Sequence, residues 1–396
     1  MKKILRIINR FNLGGPTYNA AYLTRYLDDY GFETKLVGGM SEESEADSTF
    51  ILDQLGVTAE LIPEMHRSLN LLNDRKAYMK IKQIIKEYKP DIVHTHASKA
   101  GTLGRLAAIQ QAVPHIVHTF HGHVFHSYFS GAKTSVFRKI EQYLALKSSR
   151  IVAISSTQLD ELADEFNIAP RSKFEIIPLG FDLSRFRNDL SDKRIAFRKR
   201  WNIADDDFVI SIVGRLVPVK NHKLFIESVA HLKKQSNRKI KAIIVGDGEL
   251  REALIKHCEH VNLKVQAAAT SVPDADVVFT SWLRDVDEVY AGSELAALTS
   301  FNEGTPVSLI EALAAGTPVV STDVGGIQDV VSHNQNGLLV PSDDIEAFTS
   351  SLLKLAQNDQ LRAAMSAVAK TSINGQFSYN RLVSDTARLY NELLNS

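Results

Sequence analysis

The chain of 396 residues has one cysteine, Cys258. A single thiol closes no internal disulfide and builds no cysteine zinc cluster, so nothing here depends on an oxidising compartment. No apolar run reaches the roughly 18 residues that a transmembrane helix needs. The opening MKKILRIINRFNLGG is basic and then apolar, but Arg6, Asn9 and Arg10 interrupt it and no small-residue cleavage site follows. It reads as the first buried strand of a cytoplasmic protein rather than a signal peptide. Net charge is also lacking: 46 Lys and Arg stand against 46 Asp and Glu. That balance argues against a nucleic-acid coat or a polybasic anchor, and no nucleic-acid partner is expected. It covers a mild split, because residues 1–187 hold 24 basic and 20 acidic side chains. The P-loop, the GxSxG elbow and HExxH are all missing, which leaves a triphosphatase, a hydrolase triad and a zinc protease without support.

What is present is an alternation of short apolar runs with helical stretches. The runs predict strands at Ile4–Ile8, Thr34–Val37, Ile92–Thr95, His115–Thr119 and Ile151–Ile154. A second series falls at Val209–Val213, Ala242–Val245, Val277–Thr280, Leu295–Leu298 and Pro318–Ser321. Helices are predicted between them, among others at Tyr18–Tyr30, Ala77–Tyr88, Thr102–Gln111, His222–Lys234 and Val307–Ala315. This pattern predicts parallel sheets covered on both faces, and ten strands divide better into two sheets than one. The expected class is α/β, with two doubly wound domains facing a central cleft. The seam lies in the polar stretch LGFDLSRFRNDLSDK, after the strand-like FEIIP. This gives domains over 1–185 and 190–375, and a terminal amphipathic helix within 376–396. Ligands of open α/β sheets bind at the loops after the strands, so the chemistry is sought there.

Four loops qualify. In FNEGTPVSLIEALAAGTPVV, Thr305 is placed to cap a helix, Pro306 to open it and Gly316 to end it. A helix start attracts anions, Gly304 lets a ligand near the backbone, and Val307 lies in the first turn. Glu303 and Glu311 would repel a phosphate and suit sugar hydroxyls better; an ordinary capped helix with an ion pair is the plainer alternative. In VGRLVPVKNHKLF, Arg215 and Lys220 lie between a strand and a helix, where both can reach diphosphate oxygens. A solvated basic turn remains open. Gly14-Gly15 follows the first strand and allows either a close approach or a plain turn. The fourth loop, HIVHTFHGHVFHSYF, holds five histidines, of which His121 and His123 fall just past a strand end. His121 can bond a hydroxyl or a phosphate, whereas His118 reads as core. In DIVHTHASKAG, His96 is expected to reach the cleft and His94 to be structural. Gly246-Asp247-Gly248 reads as a strand-to-helix turn, and Asp274-Ala275-Asp276 as a turn and not a metal motif.

Together these stretches resemble the family-4 retaining glycosyltransferases of the GT-B fold over nearly the whole chain. The resemblance rests on the order of Gly14-Gly15, DIVHTHASKAG, HTFHGH, IIPLGFDLSRF, GRLVPVKN, VGDGELREAL and FNEGTPVSLIEALAAGTPVVSTDVGG. The spacing of Glu303 and Glu311 looks like the family's paired-glutamate signature. The resemblance implies that Glu311 binds ribose hydroxyls of a nucleotide sugar and Glu303 hydroxyls of the transferred sugar. Gly304, Thr305, Pro306 and Val307 would lie near that sugar and the diphosphate. Arg215 and Lys220 would hold the diphosphate, with Gly15 approaching it. His121 would contact the donor sugar, and the base would lie around Trp282 to Arg284. The terminal helix would cross back to the first domain. The chain departs from the pattern at Leu179, where Asn is common, and in an extra segment at Asn262–Ala275.

The expected activity is transfer of a hexose or N-acetylhexosamine, with retention, from a UDP-linked donor. The acceptor would be a saccharide or lipid-linked saccharide of a surface polysaccharide. No metal or other cofactor is expected. Lys76, Lys80, Lys82, Lys86 and Lys89 offer a basic helix face for peripheral contact with the inner side of a membrane, or simply a solvated one. An epimerase or phosphorylase of the same fold, and a non-catalytic nucleotide-sugar binder, are the competing readings.

Overall fold

The computed structural model describes residues 1–12, 14–41, 48–66, 68–122, 131–267, 272, 274–373 and 375–396, apart from the side chains of 131–134. The chain forms two compact units, Met1–Phe181 with Gly375–Ser396, and Asp182–Asn374.

The first unit carries strands β1 (Lys2–Arg10), β2 (Phe32–Gly39), β3 (Ala59–Leu61), β4 (Ile92–His96), β5 (His115–Thr119), β6 (Arg150–Ala153) and β7 (Phe174–Ile176). They form one parallel sheet in the order β3-β2-β1-β4-β5-β6-β7. Its helices include α1 (Gly15–Tyr26), α2 (Thr49–Leu55), α3 (Leu71–Tyr88), α4 (Ser98–Gln110), α5 (Gly131–Lys147) and α6 (Ser156–Asp160). Successive strand residues face opposite ways, and both faces are covered. Leu5, Ile7, Val93 and Ile116 pack on Ala77 and Ile81 of α3 and on Ala107 of α4. Ile4, Ile92, Val117 and Val152 pack on the other side, with Leu23 of α1. Two covered faces explain why these strands read as continuous apolar runs.

The second unit has β8 (Phe208–Val213), β9 (Ile240–Val245), β10 (Val265–Gln266), β11 (Val277–Ser281), β12 (Leu295–Leu298), β13 (Val319–Thr322) and β14 (Gly337–Val340). Their order is β10-β11-β9-β8-β12-β13-β14, again parallel throughout. Helices α7 (Leu190–Arg200), α8 (His222–Gln235), α9 (Arg251–His260), α10 (Val286–Gly292), α11 (Val307–Ala314), α12 (Ile345–Gln357) and α13 (Asp359–Ser372) complete it. Residues 182–189 belong to this unit: the Arg185 guanidinium donates to the Arg284 carbonyl at 3.2 Å, and Phe186 packs beside Tyr290.

Each of the ten expected strands is present within a residue or two at either end. The strands they leave out, β3, β7, β10 and β14, are the four sheet edges. Edge strands are short and covered less completely, so their apolar signal is weak; FEIIP had marked only β7. The extra segment contributes the edge strand β10, and its residues 268–271 and 273 lie outside the described ones.

Helix α14 (Tyr379–Leu394) returns to the first unit, where Leu382, Val383, Leu389, Tyr390 and Leu393 fill the face opposite α3 and α4. Phe181 N–H donates to the Phe377 carbonyl at 2.8 Å, and Tyr379 N–H to that of Phe181 at 3.2 Å. This return is close: a Cβ on Gly180 would stand 2.7 Å from the Ser378 carbonyl oxygen.

Candidate active site

In both sheets the strand order reverses beside the first strand of the unit, between β1 and β4 and between β8 and β12. Loops leaving the strand ends at such a reversal diverge and leave room for a ligand. Most candidate residues follow these strands, while His121 follows β5 and Arg284 follows β11.

In the second unit, Ile212 pairs with Ala297, so the ends of β8 and β12 are neighbours. The loop after β8 runs through Gly214 and Arg215 to a short helical turn at Pro218–Lys220. It is stitched to the loop after β12. Phe301 N–H donates to the Val219 carbonyl at 2.8 Å, and the Thr299 hydroxyl to that of Lys220 at 3.0 Å. The Lys220 ammonium thereby meets the Glu303 carboxylate at 2.5 Å, and the Ser300 hydroxyl donates to the same oxygen. Glu303 is nearly buried and Lys220 mostly so. Arg215 is half-buried, and its guanidinium has no hydrogen bond or ion pair among the described residues.

Two glycine turns back these loops. A Cβ on Gly325, whose φ is +53°, would fall 2.0 Å from the Glu303 carbonyl oxygen, and one on Gly326 would fall 2.0 Å from that of Gly304. Gly326 N–H donates to the Glu303 carbonyl at 3.0 Å. Likewise a Cβ on Gly246 (φ +137°) would strike the Gly214 oxygen at 2.0 Å, while Leu216 N–H donates to the Asp247 carbonyl at 2.9 Å. Gly246-Asp247-Gly248 is a turn between strand and helix, as the sequence suggested, and it also supports the Arg215 loop, which the sequence did not show.

The start of α11 differs from expectation. Pro306, not Thr305, is the N-cap, and no side chain caps the helix. Thr305 instead offers its carbonyl to Val307 N–H at 3.0 Å, and the Pro306 carbonyl accepts from Leu309 and Ile310. Pro306, with φ −78° and ψ 81°, forms a tight three-residue turn that points its own carbonyl into the first helical turn, so the threonine hydroxyl is not recruited. At the other end Gly316 (φ +78°) does terminate the helix, with Gly316 N–H on the Leu313 carbonyl and Thr317 N–H on that of Ala312.

Glu311 lies in the second turn of α11. Its carboxylate has no hydrogen bond or ion pair among the described residues. Desolvation pushes it up to about 7; the Arg185 charge opposes this and the Asp287 charge adds to it. Tyr290, fully buried, turns a hydroxyl without a partner into this region, and burial followed by the Glu311 charge holds that hydroxyl well above its usual range. Arg284 is exposed. Arg185, Asp287, Tyr290 and Ser300 were not found from sequence; none belongs to a glycine or paired-carboxylate signal, and only the fold brings them here. Asp276 is bonded by Lys233 and by Lys264 N–H, and Asp274 by Lys239, so this Asp pair is a tied-down turn.

In the first unit, Gly14 is the N-cap of α1 and Gly15 its first residue, both following β1. His96 ends β4 and His121 follows β5. His96 does not reach out as expected: its ring is fully buried, stacked on His94 at 4.4 Å, and its Nδ1 lies 2.9 Å from Nε2 of His121. The adjacent strand ends of β4 and β5 turn the two rings towards each other, so His121 is the more exposed of the pair. Burial pushes His121 down to about 3 and lowers His96 well below the histidine range, so both rings are neutral at pH 7. His94 and His118 are core, as expected. His94 sits between the Tyr390 hydroxyl at 2.5 Å and Thr119 at 2.7 Å, and His118 meets Thr95 at 2.8 Å. His123 and His126 lie outside the described residues.

Comparison with known proteins agrees with this architecture. Residues 13–185 match the model of Glycosyltransferase Family 4, and residues 193–372 that of Glycosyl transferases group 1. The chain is 28% identical over 345 residues to the UDP-Gal:alpha-D-GlcNAc-diphosphoundecaprenol alpha-1,3-galactosyltransferase of Escherichia coli, covering 85% of this chain and 84% of that one. A D-inositol 3-phosphate glycosyltransferase of Jonesia denitrificans is 30% identical over 319 residues, covering 76% and 71%. The crystal structure of Anabaena HepE with UDP and glucose superposes with a TM-score of 0.82 at 20% identity, over 99% of this chain and all of that one. With two seven-stranded Rossmann-like sheets and these relatives, the chain belongs to the family-4 type of glycosyltransferases with the GT-B fold.

Proposed function

We propose that this glycosyltransferase moves a hexose or N-acetylhexosamine, with retention, from a UDP-sugar to a lipid-linked saccharide, without a metal. The observation that carries the reading is the Lys220–Glu303 pair at the strand reversal, with Arg215, unpaired among the described residues, on the same loop as Lys220. When the donor binds, Lys220 exchanges Glu303 for a diphosphate oxygen, and Glu303 turns to a hydroxyl of the sugar. Arg215 supplies a second, planar contact to the diphosphate. As the anomeric bond lengthens, negative charge grows on the leaving diphosphate. Two cations and the start of α11 stabilise it more in the transition state than in the ground state. Glu311, unpaired and partly desolvated, accepts hydrogen bonds from ribose hydroxyls. His121, neutral, bonds a hydroxyl of the donor sugar, with His96 holding its ring. Gly14 and Gly15 at the start of α1 leave the backbone there open to close approach by a ligand.

The Escherichia coli relative, by its name, uses UDP-galactose and a polyprenyl-diphosphate-linked GlcNAc. That pair is the first to try. Transfer should require both components, keep the anomeric configuration by NMR of the product, and survive EDTA. Loss of transfer in EDTA with rescue by Mn²⁺ would refute metal independence. Interconversion of the UDP-sugar without acceptor would favour an epimerase. Tight binding with no nucleotide release from any donor would favour a binding protein.

A further inference from the structure

Ser184–Phe186 form a short helical turn that packs on both α10 and α11. The guanidinium of its middle residue, Arg185, lies over the Phe186 ring at 4.8 Å, and that ring lies 6.1 Å from the ring of Tyr290. From there Arg185 donates to the Arg284 carbonyl, in the loop after β11, at 3.2 Å, and its Nε stands 3.9 Å from Asp287 Oδ1 of α10. Lys193 of α7 fixes the turn from behind. Its ammonium donates to the Arg185 carbonyl at 2.6 Å and to that of Asn188 at 2.8 Å, and it pairs with Asp287 at 3.0 Å. Of the elements packed on α11, the turn presents Arg185 to Glu311, and α10 presents Asp287 and the neutral Tyr290 hydroxyl. Helix α13 and strands β12 and β13 present it no charged group among the described residues.

We propose that Arg185 is a positioning residue for the nucleoside of the donor: it ties the loop after β11 to the surroundings of Glu311, so that base and ribose are held at one fixed separation. This deepens the proposed function, on which it rests for ribose hydroxyls at Glu311 and a base beside residues 282–284. A planar guanidinium can bond a carbonyl through one edge while it faces a carboxylate through another, which a point charge on a flexible stem does not do. Its charge also favours the ionised form of Glu311, against the burial and the Asp287 charge that favour the protonated one. An ionised carboxylate accepts hydrogen bonds from both ribose hydroxyls. The Arg185 side chain is 42% exposed, so water screens this charge, and the bond to the Arg284 carbonyl is the larger of its two effects.

Calorimetric titration of UDP, and separately of pyrophosphate, into the full chain between about pH 6 and 9 tests this. Pyrophosphate reads the Arg215 and Lys220 end of the site alone. Arg185→Gln is expected to weaken UDP binding by roughly tenfold at about pH 8, to leave pyrophosphate affinity unchanged, and to move the decline of UDP affinity to higher pH. Arg185→Lys keeps the charge and loses the fork, so it should return the decline to its native pH and recover the lost affinity only in part. UDP affinity and pH profile like those of the native chain in Arg185→Gln would overturn the inference. So would an equal loss for pyrophosphate, which marks a general disturbance of the unit, or an Arg185→Lys variant that matches Arg185→Gln at every pH. Failure of the two readings is distinguishable: a native chain that binds no UDP refutes the proposed function, whereas native binding unaffected by Arg185→Gln refutes only the role of Arg185.

Discussion

Glu311 has a carboxylate that its surroundings do not satisfy. A carboxyl raised to about 7 in the folded chain holds a proton between its unfolded value near 4.5 and about 7, where the unfolded chain has released it. Its contribution to stability is therefore intact below pH 4.5 and is lost as the pH rises through about 7. Glu311→Gln should be neutral to stability at pH 4 and stabilise by about 1 to 3 kcal/mol at pH 8, as thermal melts will show. The same substitution should weaken UDP binding at pH 8. In the native chain, UDP affinity should decline as the pH falls below about 7, because a protonated carboxyl accepts fewer hydroxyl bonds. A flat affinity from pH 6 to 8 would remove Glu311 from the ribose. At Lys220 the expected loss is in rate: Lys220→Ala should lower kcat by roughly a hundred- to a thousandfold. If Lys220 served only to neutralise Glu303, the double variant with Glu303→Gln would recover the rate.

At the scale of elements, the active loops hold their shape through the glycine turns behind them. Gly325 has a left-handed backbone and lies against the Glu303 carbonyl, so a side chain there is strained and has no space. Gly325→Ala should displace the loop carrying Glu303 and Gly304, raising KM for the donor and lowering kcat. A mutant that melts a few degrees lower yet keeps native kinetics would show that this turn does not position Glu303. The packing of α4 follows the same rule, since a Cβ on Gly101 would stand 2.4 Å from the His118 ring and one on Gly104 2.7 Å from Thr95. These small residues bring the helix down onto the strand ends that carry His96 and His121.

At the scale of the molecule, the last helix completes the first unit. Arg6 of β1, fully buried, donates to the Tyr390 hydroxyl at 3.1 Å and to Thr24 at 3.2 Å. With Arg6 donating to it, the Tyr390 hydroxyl is free to give its own proton to His94 Nδ1, which leaves the His94 proton on Nε2 facing Thr119. Tyr390→Phe strands a guanidinium N–H and a ring nitrogen in the core. It should cost about 1 to 3 kcal/mol of stability, read as a lower Tm, with UDP affinity retained. Removing residues 379–396 uncovers Ile4, Phe32 and Ile92 as well, and should leave the first unit unable to fold.

The sequence by itself determined the class of fold, ten of the fourteen strands among the described residues, and the loops proposed to hold the chemistry. Strands buried on two faces, glycines at positive φ and a helix opening with proline are local signals that survive without neighbours. Tertiary structure alone decided the rest. The edge strands are too short and too incompletely covered to stand out. Thr305 loses its capping role to the backbone of Pro306, a matter of one residue's dihedral angles. Lys220 and Glu303, 83 residues apart, meet because β8 and β12 are paired at the reversal of the sheet, and strand order is not written in either loop. His96 turns inward for the same reason, since the partner across from β4 is β5 and its histidine.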